Sequence, residues 1–149
     1  MGTYIRDGRA PIPKKESTSR LMQANKAKNT KPEVLLRKAL WKAGIQGYRL
    51  HPRQLPGRPD IVFGKARLAI FINGCFWHRC PSCDLPLPKS NTDFWKKKFD
   101  ANVARDRKKI ASLEEAGWRA LTIWECEIEA QLLACLEQVE QALQVKTKP

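Results

Sequence analysis

The stretch Asn73-Gly74-Cys75-Phe76-Trp77-His78-Arg79-Cys80-Pro81-Ser82-Cys83 constrains this chain more than any other part of it. Three cysteines, two adjacent aromatics and one of the two histidines fall within eleven residues. Cys80 to Cys83 forms a CxxC knuckle, the spacing that suits tetrahedral zinc, and Cys75 adds a third thiol. Three local thiolates need a fourth ligand. Cys126, at the end of an apolar stretch over Trp118–Trp124, is one candidate, and His78 inside the loop is the other. A redox CxxC or unliganded thiols are the alternatives. Three cysteines crowded into a proline-rich loop, however, gain a folding rationale once a metal holds them. With four protein ligands the site is closed, so the metal would be structural. If Cys126 completes it, the loop is tied to a distant strand. Cys135, among Leu132, Leu133 and Leu136, reads instead as a small buried hydrophobe.

A carboxylate precedes this loop. In Pro56-Gly57-Arg58-Pro59-Asp60, the acid opens the apolar run Ile61-Val62-Phe63. An acid at that place can hold a divalent cation at a sheet edge, and Mg²⁺ favours such hard oxygen ligands. Taken alone, Asp60 also reads as a turn-capping residue. His51 reads as a surface or otherwise satisfied histidine.

Charge narrows the class of partner. The chain has 149 residues, enough for one domain with a real core, and a net charge of +13. The charge is polarised: residues 1–42 carry eleven Lys/Arg against three acids, whereas residues 110–145 carry one Arg against seven Glu. Residues 91–109 are again basic, with seven Lys/Arg against three acids. Single runs such as Lys96-Lys97-Lys98 suit solvated helix faces, but the whole pattern points to one face turned to a polyanion, nucleic acid above all. No run of eighteen apolar residues exists to span a membrane. Five cysteines, an odd number, without an apolar secretion leader, fit a reducing, cytoplasmic setting better than a disulfide framework.

Periodicity and punctuation predict a mixed α/β domain. Residues 1–16 read as a flexible basic arm and residues 17–149 as the folded domain, which opens with a short basic helix over Ser17–Lys28. Thr30-Lys31-Pro32-Glu33 starts a helix that Gly44 ends. Tyr48–Leu50, Asp60–Phe63 and Arg67–Ile72 read as strands, the last two joined at Gly64-Lys65. Residues 73–90 form a loop. Asn91 or Thr92 caps a long helix that runs to Ala116 and stops at Gly117; Trp118–Trp124 is a further strand and Glu127–Gln144 a final amphipathic helix.

The blocks Gly57–Asp60, Gly74–His78, Asn91–Trp95, Asn102–Asp106, Gly117–Arg119 and Trp124–Cys126 occur in this order, and together they resemble the very short patch repair (Vsr) DNA mismatch endonucleases over residues 18–128. The resemblance implies a variant of the PD-(D/E)xK nuclease fold, and a Mg²⁺-dependent hydrolase with a structural Zn²⁺. Such an enzyme nicks one strand of double-stranded DNA 5′ to the thymine of a T·G mismatch left by deamination of 5-methylcytosine. It further implies a monomeric, cytoplasmic, nucleoid-associated protein without membrane contact, with other DNA-repair proteins as further partners.

The resemblance assigns roles residue by residue. Asp60 and the backbone carbonyl of Ile72 correspond to the Mg²⁺ ligands. His78 corresponds to the general base or water-orienting histidine, and Glu33 to an acid near the site. Cys75, Cys80, Cys83 and Cys126 correspond to the zinc ligands, and Phe76, Trp77 and Trp95 to aromatics that wedge into the duplex. Asn73 departs from the pattern: it stands where the best-known members have histidine and ordinary nucleases of the fold have lysine. It can orient water or phosphate by hydrogen bonds but carries no charge. The zinc loop also differs in length and has cysteine where some members have histidine. Read from spacing alone, Trp95 belongs with Phe99 and Val103 on a core-facing stripe. Two other functional classes compete with a mismatch nickase. One is a restriction-type endonuclease of the same fold, and the other a zinc-stapled DNA-binding module with reduced catalysis.

Overall fold

The computed structural model describes residues 29–144, so the expected arm and the basic helix over Ser17–Lys28 lie outside the described residues. Helix α1 (Lys31–Lys42) begins where the sequence places it. The Thr30 hydroxyl accepts the Glu33 N–H at 3.4 Å, and the Glu33 carboxylate accepts the Asn29 N–H at 2.5 Å. This is a close variant of the capping box. Leu36 and Leu40, one turn apart, are fully buried, and Gly44 leaves the helix with φ +78°.

Four strands follow: β1 (Arg49–Leu50), β2 (Ile61–Phe63), β3 (Leu68–Asn73) and β4 (Arg119–Trp124), lying side by side in chain order. β1–β2 and β2–β3 are antiparallel, while β3 and β4 run parallel with Leu68 opposite Arg119 and Asn73 opposite Trp124. A parallel pair needs a crossover, and α3 (Thr92–Glu115) supplies it. Strand alternation sends Ile61, Phe63, Leu68, Ile70 and Ile123 to one face, where they bury Leu36 and Leu40 of α1 together with Ile128, Cys135 and Val139. Val62, Ala69 and Phe71 point the other way onto Leu113 of α3. Helices therefore cover both faces of the sheet, and β3, at its middle, is almost wholly apolar.

Two expected segments differ. The expected loop after β3 opens with a one-turn helix, α2 (Cys75–His78), closed by Arg79 in the left-handed region at φ 56°. The single C-terminal helix is two, α4 (Glu125–Ala130) and α5 (Leu132–Gln144), broken at Gln131 with φ −141°. The break lets Ile128 before it and Cys135 and Val139 after it enter the same core. Among the described residues, no helix is long and apolar enough to cross a membrane.

Candidate active site and cysteine cluster

Three chain segments meet at the end of the sheet where β3 finishes. Asp60 stands just before β2; its N–H donates to the Ile70 carbonyl at 2.9 Å, and its Oδ2 accepts the Ile72 N–H at 2.7 Å. His51, just past β1, donates its backbone N–H to the Asp60 carbonyl at 3.1 Å. Its ring Nε2 lies 2.6 Å from Glu33 Oε1 and 3.9 Å from Asp60 Oδ1. Glu33 reaches this point from the first turn of α1 and is 2 % exposed. The helix-capping acid and the strand-opening acid thus share one site.

Two neighbouring carboxylates, one buried and one half-buried, are electrostatically costly. Burial above all, with Glu33 close by, pushes the Asp60 carboxyl up to about 7, although the Ile72 N–H works in the opposite sense. A cation would relieve that cost. The donor atoms of Glu33, His51 and Asp60 all lie within 4.8 Å of one another, so the residues present fit a divalent ion.

A second carboxylate–imidazole pair stands where α2 meets α3. His78 Nδ1 lies 2.6 Å from Asp106 Oδ2. A carboxylate can only accept, so Nδ1 donates and Nε2 is left as the ring's proton acceptor. Residue type alone does not single out Asp106, since one acid among the Lys and Arg of α3 reads as a solvated charge; its sequence cue is its place in the Asn102–Asp106 block. Asn102 Nδ2 donates to the Trp77 carbonyl at 3.1 Å, which fastens α2 to the same helix. Asn73, the last residue of β3, is 9 % exposed and lines a small recess with Phe71, Asp106, Lys109, Ile110 and Thr122.

The aromatics form one cluster. Phe76 meets Trp77, Trp95 and Phe99 edge-on at centroid distances of 5.0, 6.0 and 5.2 Å. Trp95 stacks on Phe99 at 5.5 Å, and the Arg79 guanidinium lies 4.4 Å above the Phe99 ring. Trp95, expected at the DNA surface, is only 5 % exposed. Its spacing with Phe99 on α3 turns both inward, so Trp95 backs the cluster while Phe76 and Trp77 remain half-buried at its edge.

The cysteines behave as a unit. The sulfurs of Cys75, Cys80, Cys83 and Cys126 lie within 4.8 Å of one another, and His78 is not among them. Cys126 comes from the first turn of α4, immediately after β4. Cys80 Sγ and Cys126 Sγ are 3.7 Å apart, close to the ~3.8 Å that two thiolates at tetrahedral Zn–S distances span. Burial pushes the Cys75 thiol up, and Cys126 likewise to about 11. Burial also opposes ionisation of Cys80, but hydrogen bonds from the Cys83 and Ser82 N–H groups and from the Cys126 and Cys83 thiols together outweigh it and its thiol is lowered. Cys135 stays apart, fully buried in the core.

Sequence likeness shows the class, that of DNA endonucleases, and the chain belongs to the Vsr family within it. The profile described as DNA mismatch endonuclease Vsr matches residues 11–84. Among its relatives is the type II nicking enzyme V.XorIIP of Xanthomonas oryzae, 47 % identical over 108 residues, covering 72 % of this chain and 79 % of that protein. The DNA mismatch endonuclease Vsr of Escherichia coli is 38 % identical over 122 residues, covering 82 % and 78 %. The type II nicking enzyme V.NaeI of Lentzea aerocolonigenes is 44 % identical over 130 residues, covering 85 % and 74 %.

Proposed function

We propose that this protein is a Mg²⁺-dependent endonuclease that nicks one strand of duplex DNA 5′ to the thymine of a T·G mismatch, on a PD-(D/E)xK-type core braced by a structural zinc. The observation that carries this reading is the convergence of Asp60, Glu33 and the end of β3 at one point. Asp60 and the Ile72 carbonyl would hold Mg²⁺. The Ile72 N–H faces Asp60, and an extended residue's carbonyl leaves on the same edge as its N–H. Bound there, the ion supplies polarisation of the scissile phosphate and a lowered pKa for a water.

His78, its tautomer fixed by Asp106, takes a proton from the attacking water at Nε2. Asn73 orients water or phosphate through its amide. Phe76 and Trp77, backed by Trp95 and Phe99, open the base step; a wobble pair lowers the unstacking cost, which favours the mismatch. Cys75, Cys80, Cys83 and Cys126 would hold Zn²⁺ and so tie α2 to α4. Relatives named nicking enzymes support single-strand cleavage over a restriction-type double-strand cut. Asp60→Ala should abolish Mg²⁺-dependent nicking while duplex binding, measured by gel shift, stays within a few-fold of the parent. Nicking near the parental rate would refute the assignment.

A further inference from the structure

His51 is more than a possible donor to an ion: both its backbone and its ring are engaged at the acidic site. The ring nitrogen contacts Glu33 Oε1 at 2.6 Å, and the backbone N–H reaches the Asp60 carbonyl at 3.1 Å. The residue sits in the left-handed region at φ 48°. A non-glycine residue held there costs free energy and persists only where surrounding contacts enforce it. Here those contacts lead to the two acids.

Glu33 has one oxygen committed to the Asn29 N–H and the other to His51. Without the imidazole, Oε1 would lose its donor, and the Asn29 N–H on Oε2 would be left to hold the carboxylate beside Asp60. With it, Oε1 keeps a single orientation and a free lone pair. A ligand group whose partner fixes its orientation binds metal more tightly, and loss of such a partner typically weakens affinity or activity about 10–100-fold.

We propose that His51 is a positioning residue of the divalent-cation site: it holds the Glu33 carboxylate beside Asp60 and thereby sets how tightly the site binds its ion. The proposal rests on the metal-site reading above. His51 acts through Glu33 and does not touch the reacting atoms.

Mn²⁺, followed by electron paramagnetic resonance, serves as the probe on the full-length protein, alongside single-turnover nicking of a T·G duplex across a Mg²⁺ titration. His51→Ala should weaken Mn²⁺ binding and raise the Mg²⁺ concentration for half-maximal nicking about 10–100-fold. The rate at saturating Mg²⁺ should stay within a few-fold. His51→Gln, whose amide can donate to Glu33, should recover most of the lost affinity, which a general loosening of the fold would not give. Unchanged Mn²⁺ affinity and unchanged Mg²⁺ half-saturation in His51→Ala overturn the role of His51. If Asp60→Ala binds Mn²⁺ as tightly as the parent, the metal-site reading itself falls, and the role of His51 with it.

Discussion

Asp60 combines two demands that conflict in the absence of a cation. Burial, with Glu33 beside it, raises its carboxyl from the ordinary 3.8 to about 7. An acid whose pKa is higher in the folded than in the unfolded chain favours the fold when protonated. Its contribution is complete below about pH 4 and is lost as pH rises toward 7. In magnesium-free buffer, Asp60→Asn keeps an acceptor for the Ile72 N–H and removes the charge. Its melting temperature should therefore exceed the parent's at pH 8, and its pH profile between 4 and 7 should be flatter, although it cannot nick. A variant that melts below the parent at pH 8 would contradict this electrostatic picture. At the other pair, His78→Ala should lower the single-turnover rate by about 10²–10⁴ with zinc content intact. Asp106→Asn should lower the same rate by a smaller factor, because the imidazole remains but its tautomer is no longer enforced. Zinc loss in His78→Ala would make the histidine a ligand rather than a base.

Among the elements, α2 and its loop are where the proposed metal would contribute most to stability, alongside the contacts of Phe76 and Trp77 with α3. α2 spans Cys75–His78, and of these residues only Cys75 is buried; a helix of one turn has no stability of its own. Changing Cys75, Cys80, Cys83 or Cys126 to Ala should remove the bound zinc and lower the melting temperature together. A fall of at least about 5 °C corresponds to roughly 1–2 kcal/mol in a domain of this size. Cys135→Ala should leave the zinc in place, with only the cost of a small cavity. Metal analysis and calorimetry on the same samples check both. The cysteine spacing made this cluster legible, because CxxC plus a third near thiol suits a tetrahedral metal site. Cys126 was legible only as a candidate, since its approach depends on the parallel register that brings Trp124 beside Asn73. α1 was readable from its Thr30 cap, β2 and β3 from their apolar runs, and α3 from its glycine stop, although neither Asn91 nor Thr92 caps α3 with its side chain. The break at Gln131 was not, because the apolar spacing runs across it without a proline or glycine.

For the whole molecule, topology gathers the candidate site. Helices cover both faces of the sheet; Glu33 from α1, His51 after β1 and Asp60 before β2 meet at the end of β3, and α2, which follows β3, carries His78 to Asp106 of α3. His51 and Asp106 escape a reading by residue type because each pairs with a residue distant in sequence, 18 and 28 residues away. No local pattern encodes such a pairing. Trp95 is ambiguous for the opposite reason: its helical spacing with Phe99 and its likeness to a wedge residue give different answers, and in the fold it stacks on Phe99 and is 5 % exposed.

Substrate choice tests all of this at once. End-labelled duplexes that differ only in a T·G or a C·G pair are incubated with the protein, with Mg²⁺ or without it, and both strands are resolved on a denaturing gel. The expected result is a single nick 5′ to the mismatched thymine, only with Mg²⁺, and an intact partner strand. Trp77→Ala should weaken binding to the T·G duplex by about 1–3 kcal/mol, the scale of one base–aromatic stack. Binding to the matched duplex, which rests on phosphate contacts, should hardly change. Cleavage of both strands, equal cleavage of the matched duplex, or tight binding with no Mg²⁺-dependent cut would contradict a mismatch-directed nickase.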